Sequence, residues 1–373
     1  MWLERGAYAR PSPESGVPTT VLTSHGIKEG TRLSVIIGVD PHKTTHTAVA
    51  IDRDELELGS LQIRANAGQV KRLLQWAAPF DDRTWAVEGA GGCGYLLAQQ
   101  LVAAGETVLN VPATLAARVR VLGSSRSNKN DPNDARSVAI AALRAPNIAE
   151  VRPADHASVL RLLARRHRQL TSSRTRTACR LHALLADLIP GGSAPKLKAD
   201  RAQAILDGMK LSTPVEHTRH DLASEHLADL RRLDAQIVES KQRLAEAVAA
   251  SNTTLLELNG VGAIVAAMVI GHTGDIGRFR DRHHYAAYNG TAPIEVSSGE
   301  RPVHRLSRRG NRQLNHAIHL AALSQIRYRD TDGRRYYERK ITEGDTRKVA
   351  FRALKRRVSD AVYRQLLVDA SKR

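Results

Sequence analysis

The sequence has few cysteines and few aromatic residues, and it has no long apolar run. Its 373 residues include only two cysteines, Cys93 and Cys179, too few for a disulfide framework or a four-cysteine zinc site. Aromatic residues make up 4 %, so base stacking on aromatic side chains is not expected to dominate binding to a nucleic acid. No apolar run reaches the roughly 18 residues that a membrane span needs. We therefore expect a protein of a reducing cytoplasm, with no membrane partner.

Acidic residues are fewer than basic residues. Lys and Arg number 56 against 38 Asp and Glu, which gives a net charge of +18. This surplus favours an anionic partner, most commonly a nucleic acid, over the alternative of a merely basic cytosolic or ribosomal protein. Hydrophobic residues make up 42 %, enough for ordinary buried cores.

The chain is expected to begin with a disordered tail followed by an α/β domain. Residues 1–33 combine prolines with Ser and Gly and lack apolar periodicity, which favours a flexible tail or a gene start placed too far upstream. Within residues 34–150, apolar runs predict three strands, a helix, a strand, a helix and a fifth strand, hence a mixed sheet. The predicted strands are 35–40, 46–52, 56–63, 84–88 and 107–111.

A long-helix region is predicted for residues 151–252. Residues 157–186 hold seven arginines and no acid, so a helix there would carry a cationic face for nucleic acid, with Arg165 and Arg168 on it. A second helix is predicted over residues 222–250, where Leu230, Ile237 and Leu244 recur every seven residues. This spacing predicts a coiled coil that contacts another subunit, or a helix that packs back on the first one.

The third region, residues 253–373, is predicted to be mainly helical and to contact nucleic acid through two turns. Residues 258–262 (LNGVG) resemble a helix-hairpin-helix turn, in which Gly260 and Gly262 let backbone N–H groups approach a phosphate. The alternative is a glycine-rich turn that only joins two helices. A basic turn follows, which predicts phosphate contacts or a solvated cationic surface, and its residues are Arg308, Arg309, Asn311 and Arg312.

Four acids stand at positions where they could meet. Asp40 and Glu88 close two predicted strands, while Asp131 and Asp134 differ by three positions in the first turn of a predicted helix. Converging carboxylates repel one another unless cations neutralise them, and their hard oxygen atoms favour Mg²⁺ or Mn²⁺. Taken singly, each acid could instead be a turn residue, a solvated strand end or a helix cap. His42 and His46 lie close enough in sequence to support Asp40.

These acids lie in motifs that resemble a known family. Residues 37–43 (IGVDPHK), 87–97 (VEGAGGCGYLL) and 129–135 (KNDPNDA) are similar to the DEDD transposases of bacterial insertion sequences. The resemblance implies a ribonuclease H-like (RuvC-like) α/β fold for the first domain. It also implies a catalytic, metal-binding tetrad formed by Asp40, Glu88, Asp131 and Asp134.

The second half of the chain resembles the same family. Residues 255–279, 288–300 (YNGTAPIEVSSGE) and 306–319 (LSRRGNRQLNHAIH) are similar to its second domain, which supplies a serine just before a glycine. The resemblance implies that Ser298, which precedes Gly299, is the catalytic nucleophile. Ser297 is its neighbouring rival, and a serine that only bonds the backbone of a turn is the alternative.

The resemblance implies a transposase or recombinase that cuts and rejoins DNA. Its partners would be donor and target DNA, a guide RNA encoded by the element, and further copies of the chain in a dimer or tetramer. Such a protein would act in the bacterial cytoplasm near the nucleoid. The alternatives are a metal-dependent junction endonuclease in which water attacks, and a nucleic-acid-binding protein without catalytic activity.

Overall fold

The computed structural model describes residues 35–123, 131–145, 148–194, 197–295, 304–306 and 310–372. The predicted disordered tail lies outside these residues. The chain forms two compact units, the first ending at Ala154 and the second beginning at Asp155. The further division of the second unit into a long-helix region and a C-terminal domain stays a prediction.

The first unit is built on a five-stranded sheet with the order β3-β2-β1-β4-β5. Strand β1 pairs antiparallel with β2 and parallel with β4, β2 pairs antiparallel with β3, and β4 pairs parallel with β5. The mixed α/β sheet that the sequence predicts is confirmed. The elements are β1 (Val35–Pro41), β2 (Thr45–Ile51), β3 (Glu57–Arg64), α1 (Gln69–Ala77), β4 (Arg83–Glu88), α2 (Tyr95–Ala103), β5 (Val108–Val111), α3 (Ala113–Gly123) and α4 (Asp131–Arg144).

The two faces of this sheet carry different helices because successive side chains of a strand point to opposite sides. Ile37 and Val39 of β1 are fully buried in one core with residues of α1 and α2. Ile36 of β1 lies in a second core with residues of α3 and α4. Residues of β1 with even numbers therefore face α4. Helix α3 was not predicted from the sequence.

The second unit is mainly helical. Residues of α5, α7, α8, α10 and α12 share one core, and a smaller core joins α5, α6 and α7. Its elements are α5 (His156–Leu188), α6 (Ala199–Asp207), α7 (Pro214–Ala249), α8 (Ala263–Thr273), α9 (Arg282–Tyr288), β6 (Pro293–Glu295), β7 (His304–Leu306), α10 (Arg312–Arg327), α11 (Asp332–Thr342) and α12 (Arg347–Ser371). In the described parts of the chain, no helix is both long and apolar enough to cross a membrane.

The two long helices α5 and α7 pack against each other within the chain. Leu230 is 2 % exposed beside Leu181 and Leu185 of α5, and Leu244 is completely buried in the larger core. The seven-residue spacing therefore serves packing inside one chain, as the alternative interpretation had it. The two leucines are not available to another subunit, which corrects the expectation of a contact through this seam.

We predict that Leu230→Ala will lower the free energy of unfolding by about 2 to 5 kcal/mol, because it leaves a cavity in a closed core. Chemical denaturation measures this change. Val238→Ala on the same helix is the matched control, since Val238 is 69 % exposed and should cost little. A change in the mass by light scattering, with stability intact, would instead assign Leu230 to a subunit contact.

Candidate active site

Asp40 and Glu88 lie at the same edge of the sheet. Asp40 is the penultimate residue of β1, and Glu88 is the last residue of the parallel strand β4. The register pairs Val39 with Val87, so the two acids follow paired residues on neighbouring strands. Because parallel strands end at the same edge, this arrangement brings the two carboxylates close together.

Helix α4 brings the other two acids to this edge. A Cβ atom at Gly38 would lie 2.1 Å from the carbonyl oxygen of Ala135 and 2.5 Å from the amide nitrogen of Ala139. Only a glycine therefore allows α4 to lie so close to β1. Gly38 and Asp40 point to the same face of the strand, so the first turn of α4, with Asp131 and Asp134, lies on the face to which Asp40 points.

The electrostatics of Glu88 indicate that the carboxylates converge. Its pKa is raised, first by burial and then by the negative charges of Asp40 and Asp134. Arg120 and His42 oppose this effect without reversing it. Burial and neighbouring negative charges both disfavour a free carboxylate at this position, and a divalent cation bound there would offset both effects.

Two further side chains join the acids, and the sequence did not single them out. Arg120 of α3 donates a hydrogen bond from Nη1 to Oδ1 of Asp134. Gln62 of β3 donates from Nε2 to Oδ2 of Asp131 at 3.3 Å and to Oγ1 of Thr47 at 3.3 Å. Both lie far from the acids in sequence, and no motif marks them.

The carboxylates fit a metal ion. Among the described residues, Asp40, His42 and Asp131 offer ligand atoms that all lie within 4.8 Å of one another. Two carboxylates and one imidazole suit Mn²⁺ and, through their oxygen atoms, Mg²⁺. This group differs from the tetrad that the sequence predicts: it adds His42, while the Asp134 carboxylate is held by Arg120.

The two histidines near Asp40 have different roles. Nδ1 of His42 lies 3.6 Å from Oδ2 of Asp40, at the acidic edge. His46 instead bonds Gln69 of α1 through Nε2 at 2.9 Å, on the opposite face of the sheet. The hypothesis that His46 supports Asp40 is therefore wrong, because strand alternation turns its side chain away.

In the second unit, the predicted helix-hairpin-helix turn packs against α10. Gly260 has a φ of +83°, and a Cβ atom there would lie 2.5 Å from the carbonyl oxygen of Ala321. This close contact supports the alternative of a packing turn for Gly260. Gly262 is exposed and caps the N-terminus of α8, where backbone N–H groups could still meet a phosphate.

The predicted contacts of the basic turn fall into two groups. Asn311 caps α10 by accepting from the amides of Gln313 and Leu314, and its Nδ2 donates to the hydroxyl of Tyr288 at 3.0 Å. Its side chain therefore has partners within the chain, while Arg312 is exposed. Arg308, Arg309 and the predicted nucleophile Ser298, with its neighbour Ser297, lie outside the described residues.

Polar contacts hold together the two ends of the strand pair β6–β7. The amide of Asn311 donates to the carbonyl of Tyr288 at 2.6 Å, and Nδ2 of Asn315 donates to the carbonyl of Asn289 at 2.8 Å. Asn289 is fully buried and donates to Oγ of Ser359 at 2.8 Å, while Lys355 donates to Asn315 at 2.7 Å. These hydrogen bonds fix the base of the strand pair β6–β7, that is, the residues before β6 and those after β7.

Comparison with known families gives two matches in chain order. Residues 37–190 match a family described as transposase, and residues 252–338 match the transposase family of IS116, IS110 and IS902. The first match contains all four predicted acids, and the second contains the strand pair β6–β7.

Individual relatives cover most of the chain. A protein of insertion element IS116 from Streptomyces clavuligerus is 26 % identical over 88 % of this chain and 94 % of its own length. A protein of insertion element IS900 from Mycobacterium paratuberculosis is 28 % identical with the same coverage. The transposase of insertion sequence element IS1111A from Coxiella burnetii is 28 % identical over 59 % of this chain and 61 % of its own length.

Among solved structures, Thermus thermophilus RuvC in complex with a Holliday junction is 20 % identical to this chain. The match covers 30 % of this chain and 93 % of that chain, with a TM-score of 0.24.

We predict that Glu88→Gln will raise the melting temperature of the metal-free protein at neutral pH by about 2 °C. Because the folded pKa of Glu88 is raised, the folded state binds this proton more readily than the unfolded chain does. Its charge therefore opposes folding above the folded pKa, and this penalty disappears as the pH falls. Thermal unfolding in EDTA, from neutral pH downward, measures the higher melting temperature of the variant and the disappearance of this difference at low pH.

Glu106→Gln is a control that should change the melting temperature in the opposite direction. Burial alone would raise the pKa of Glu106, but hydrogen bonds from Arg83 and Trp85 lower it. Losing this charge should destabilise the protein at neutral pH. If Glu88→Gln lowers the melting temperature as Glu106→Gln does, the acids at the sheet edge do not repel one another.

Proposed function

Because the chain belongs to the IS110 family of insertion-sequence transposases, we propose that it cuts and rejoins DNA when an insertion element moves. The observation that carries this proposal is the convergence of Asp40, Glu88 and Asp134 at one sheet edge, with Asp131 on the same turn of α4. A protein that only bound nucleic acid would have no use for negative charges that repel the phosphates of its partner.

The acids are proposed to hold Mg²⁺ or Mn²⁺. Bound there, the ion would activate a nucleophile and stabilise the charge that develops on the phosphate. The protein itself holds the carboxylates in place, two at the ends of strands and two in the first turn of α4. Gln62 donates a hydrogen bond to Oδ2 of Asp131, and we propose that this bond orients the carboxylate toward the cation.

Ser298 is proposed as the nucleophile that attacks the phosphodiester. Its oxygen would form a bond to phosphorus as the bond from phosphorus to a deoxyribose oxygen breaks. The serine proton would end on that deoxyribose oxygen. A second deoxyribose hydroxyl would then attack the phosphoserine, restore the serine and rejoin the strand. Because one phosphate ester replaces another at each step, rejoining the strand needs no nucleoside triphosphate as an energy source.

The fixed base of the strand pair β6–β7 supports this assignment. A nucleophile between two strands needs an anchored segment, because small misplacements of reacting atoms are costly in rate. The contacts among Asn289, Asn315 and Lys355 fix residues that come before β6 and after β7, and Ser298 lies between these two strands in the sequence. We propose that the chain acts as a dimer or tetramer.

Helix α5 is proposed to bind the nucleic-acid backbone. Arg161, Arg165, Arg168 and Arg176 are exposed, and their spacing places them along one side of the helix over roughly 22 Å. Arg174 differs, because its guanidinium pairs with Asp234 of α7. A guide RNA that pairs with donor and target DNA is the partner that the family resemblance implies, and an exposed row of arginines suits its phosphates.

We predict that Ser298→Ala will bind DNA normally but form no covalent protein–DNA adduct. The change removes only the attacking oxygen, so binding contacts stay intact. Ser297→Ala is the matched control and should retain the adduct, with a modest loss, because a neighbour can only position the nucleophile. Peptide mass spectrometry of protein trapped on a nicked substrate with the ends of the element locates the modified residue.

The other outcomes of this experiment distinguish the alternatives. A nucleotide on Ser297 would move the nucleophile by one residue. Cleavage in Mg²⁺ with no adduct would favour attack by water, as in a junction endonuclease. The protein is also assayed together with the RNA transcribed beside the gene. If it then binds DNA but gives neither cleavage nor an adduct, it is a nucleic-acid-binding protein without catalytic activity.

We predict that each exposed arginine of α5 contributes separately to the salt dependence of nucleic-acid binding. Arg161→Gln, Arg165→Gln and Arg168→Gln should each reduce the slope of log affinity against log salt by about 0.7 to 0.9, because each releases one fewer counterion. Titrations with a mixed-sequence DNA duplex and a single-stranded RNA of equal length measure the slopes.

Arg174→Gln is the control for net charge. It removes one positive charge from the same helix, but Arg174 is paired with Asp234. It should therefore weaken the packing of α5 on α7 and leave the slope unchanged. Equal slopes for the wild type and all four variants would exclude α5 from the interface.

A further inference from the structure

Arg120 is hydrogen-bonded to one of the four acids. It extends from α3 and donates a hydrogen bond to Asp134, whose side chain is only 8 % exposed. The pKa of Arg120 is raised, first by this hydrogen bond and the charge of Asp134, and further by Glu88 and Asp40. Its guanidinium therefore interacts with three of the four carboxylates.

This contact sets Asp134 apart from the compact ligand group. Asp40, Asp131 and His42 offer ligand atoms that lie within 4.8 Å of one another. Asp134 offers an oxygen atom to Arg120 instead. A carboxylate oxygen that accepts a hydrogen bond from a guanidinium is a poor ligand for a cation, and a divalent cation nearby would repel the guanidinium.

We propose that Arg120 is a built-in counter-cation that competes with the divalent metal for Asp134. This inference rests on the proposed function, since it requires that the acids bind a metal. Without metal, Arg120 offsets part of the repulsion among the acids. When the metal binds, Asp134 would exchange the guanidinium for the ion, and the hydrogen bond between α3 and the first turn of α4 would be lost. Arg120 is a positioning residue, because it acts through Asp134.

Competition and support predict opposite changes in metal affinity when Arg120 is removed. If Arg120 competes with the metal, its removal should strengthen metal binding and weaken the metal-free fold. If Arg120 instead orients Asp134 as a ligand, its removal should weaken metal binding. The affinity for metal in the absence of nucleic acid separates these two roles without any measurement of activity.

The test is calorimetric titration of Mn²⁺ into the full-length protein without nucleic acid. Arg120→Gln should bind Mn²⁺ more tightly by about fivefold, the size expected when one like charge leaves a partly exposed site. Arg120→Lys, which keeps the charge, should remain within about twofold of the wild type. Arg118→Gln is the matched control, because Arg118 is an exposed arginine on the same helix and its loss changes the net charge equally.

Thermal unfolding gives a second readout. In EDTA, Arg120→Gln should melt below Arg118→Gln, and saturating Mn²⁺ should reduce this difference, because the bound ion replaces the lost cation. In an Asp134→Asn background, Arg120→Gln should no longer strengthen binding of Mn²⁺. If Arg120→Gln fails to fold, the Asp134→Asn pair and Arg120→Lys still test the competition.

Three results would overturn the proposal. If the wild type binds Mn²⁺ and Arg120→Gln binds it with the same affinity as Arg118→Gln, Arg120 does not compete with the metal. The metal centre itself would then stand. Weaker binding by Arg120→Gln would make Arg120 a support for the metal ligands. No binding of Mn²⁺ by any variant, the wild type included, would refute the metal centre of the proposed function and the competition together.

Discussion

The close approach of α4 to β1 is the constraint on which the acidic site depends. The backbone of α4 comes so near to Gly38 that a Cβ atom there would collide with the carbonyl oxygen of Ala135. A larger residue would push the helix away from the sheet. Since Asp131 and Asp134 lie in the first turn of this helix, they would move away from Asp40. The tight packing of one glycine thus sets the distance between the strand acids and the helix acids.

This packing brings together charges that would otherwise repel one another. Burial and neighbouring acids raise the pKa of Glu88, and Arg120 and His42 compensate only part of the negative charge. A sheet edge of this kind carries an energetic cost in the metal-free protein, which is typical of sites whose purpose is chemical rather than structural. The hydrogen bond from Arg120 to Asp134 reduces the repulsion among the carboxylates and connects α3 to one of the acids.

A different constraint applies to the strand pair β6–β7 of the second unit. Residues 293–295 and 304–306 form a short strand pair with few residues to bury. Its stability comes from the base, where Gly310 packs against Gly290 and buried amides bond across the entry and the exit. Lys355 is 8 % exposed and its pKa is lowered by burial, so the network keeps a charged group in the core by hydrogen bonding it to Asn315.

The sequence by itself predicted the five strands of the sheet in the first unit, the three longest helices, and the position of Asp40 and Glu88 at strand ends. These properties depend on local alternation of apolar residues and on short motifs, which a single sequence displays. The spacing of Leu230 and Leu244 was equally visible, but packing within a chain and packing between subunits bury the same stripe, so only the tertiary structure could distinguish them.

The partners of the acids were decided by the tertiary structure alone. Arg120 reaches Asp134 from a helix that has no marked amphipathic pattern, and Gln62 reaches Asp131 across two strands. His46 is near Asp40 in sequence, yet strand alternation directs it to α1 on the other face. Contacts of this kind depend on which faces of distant elements are packed together, and residue spacing along the chain does not contain that information.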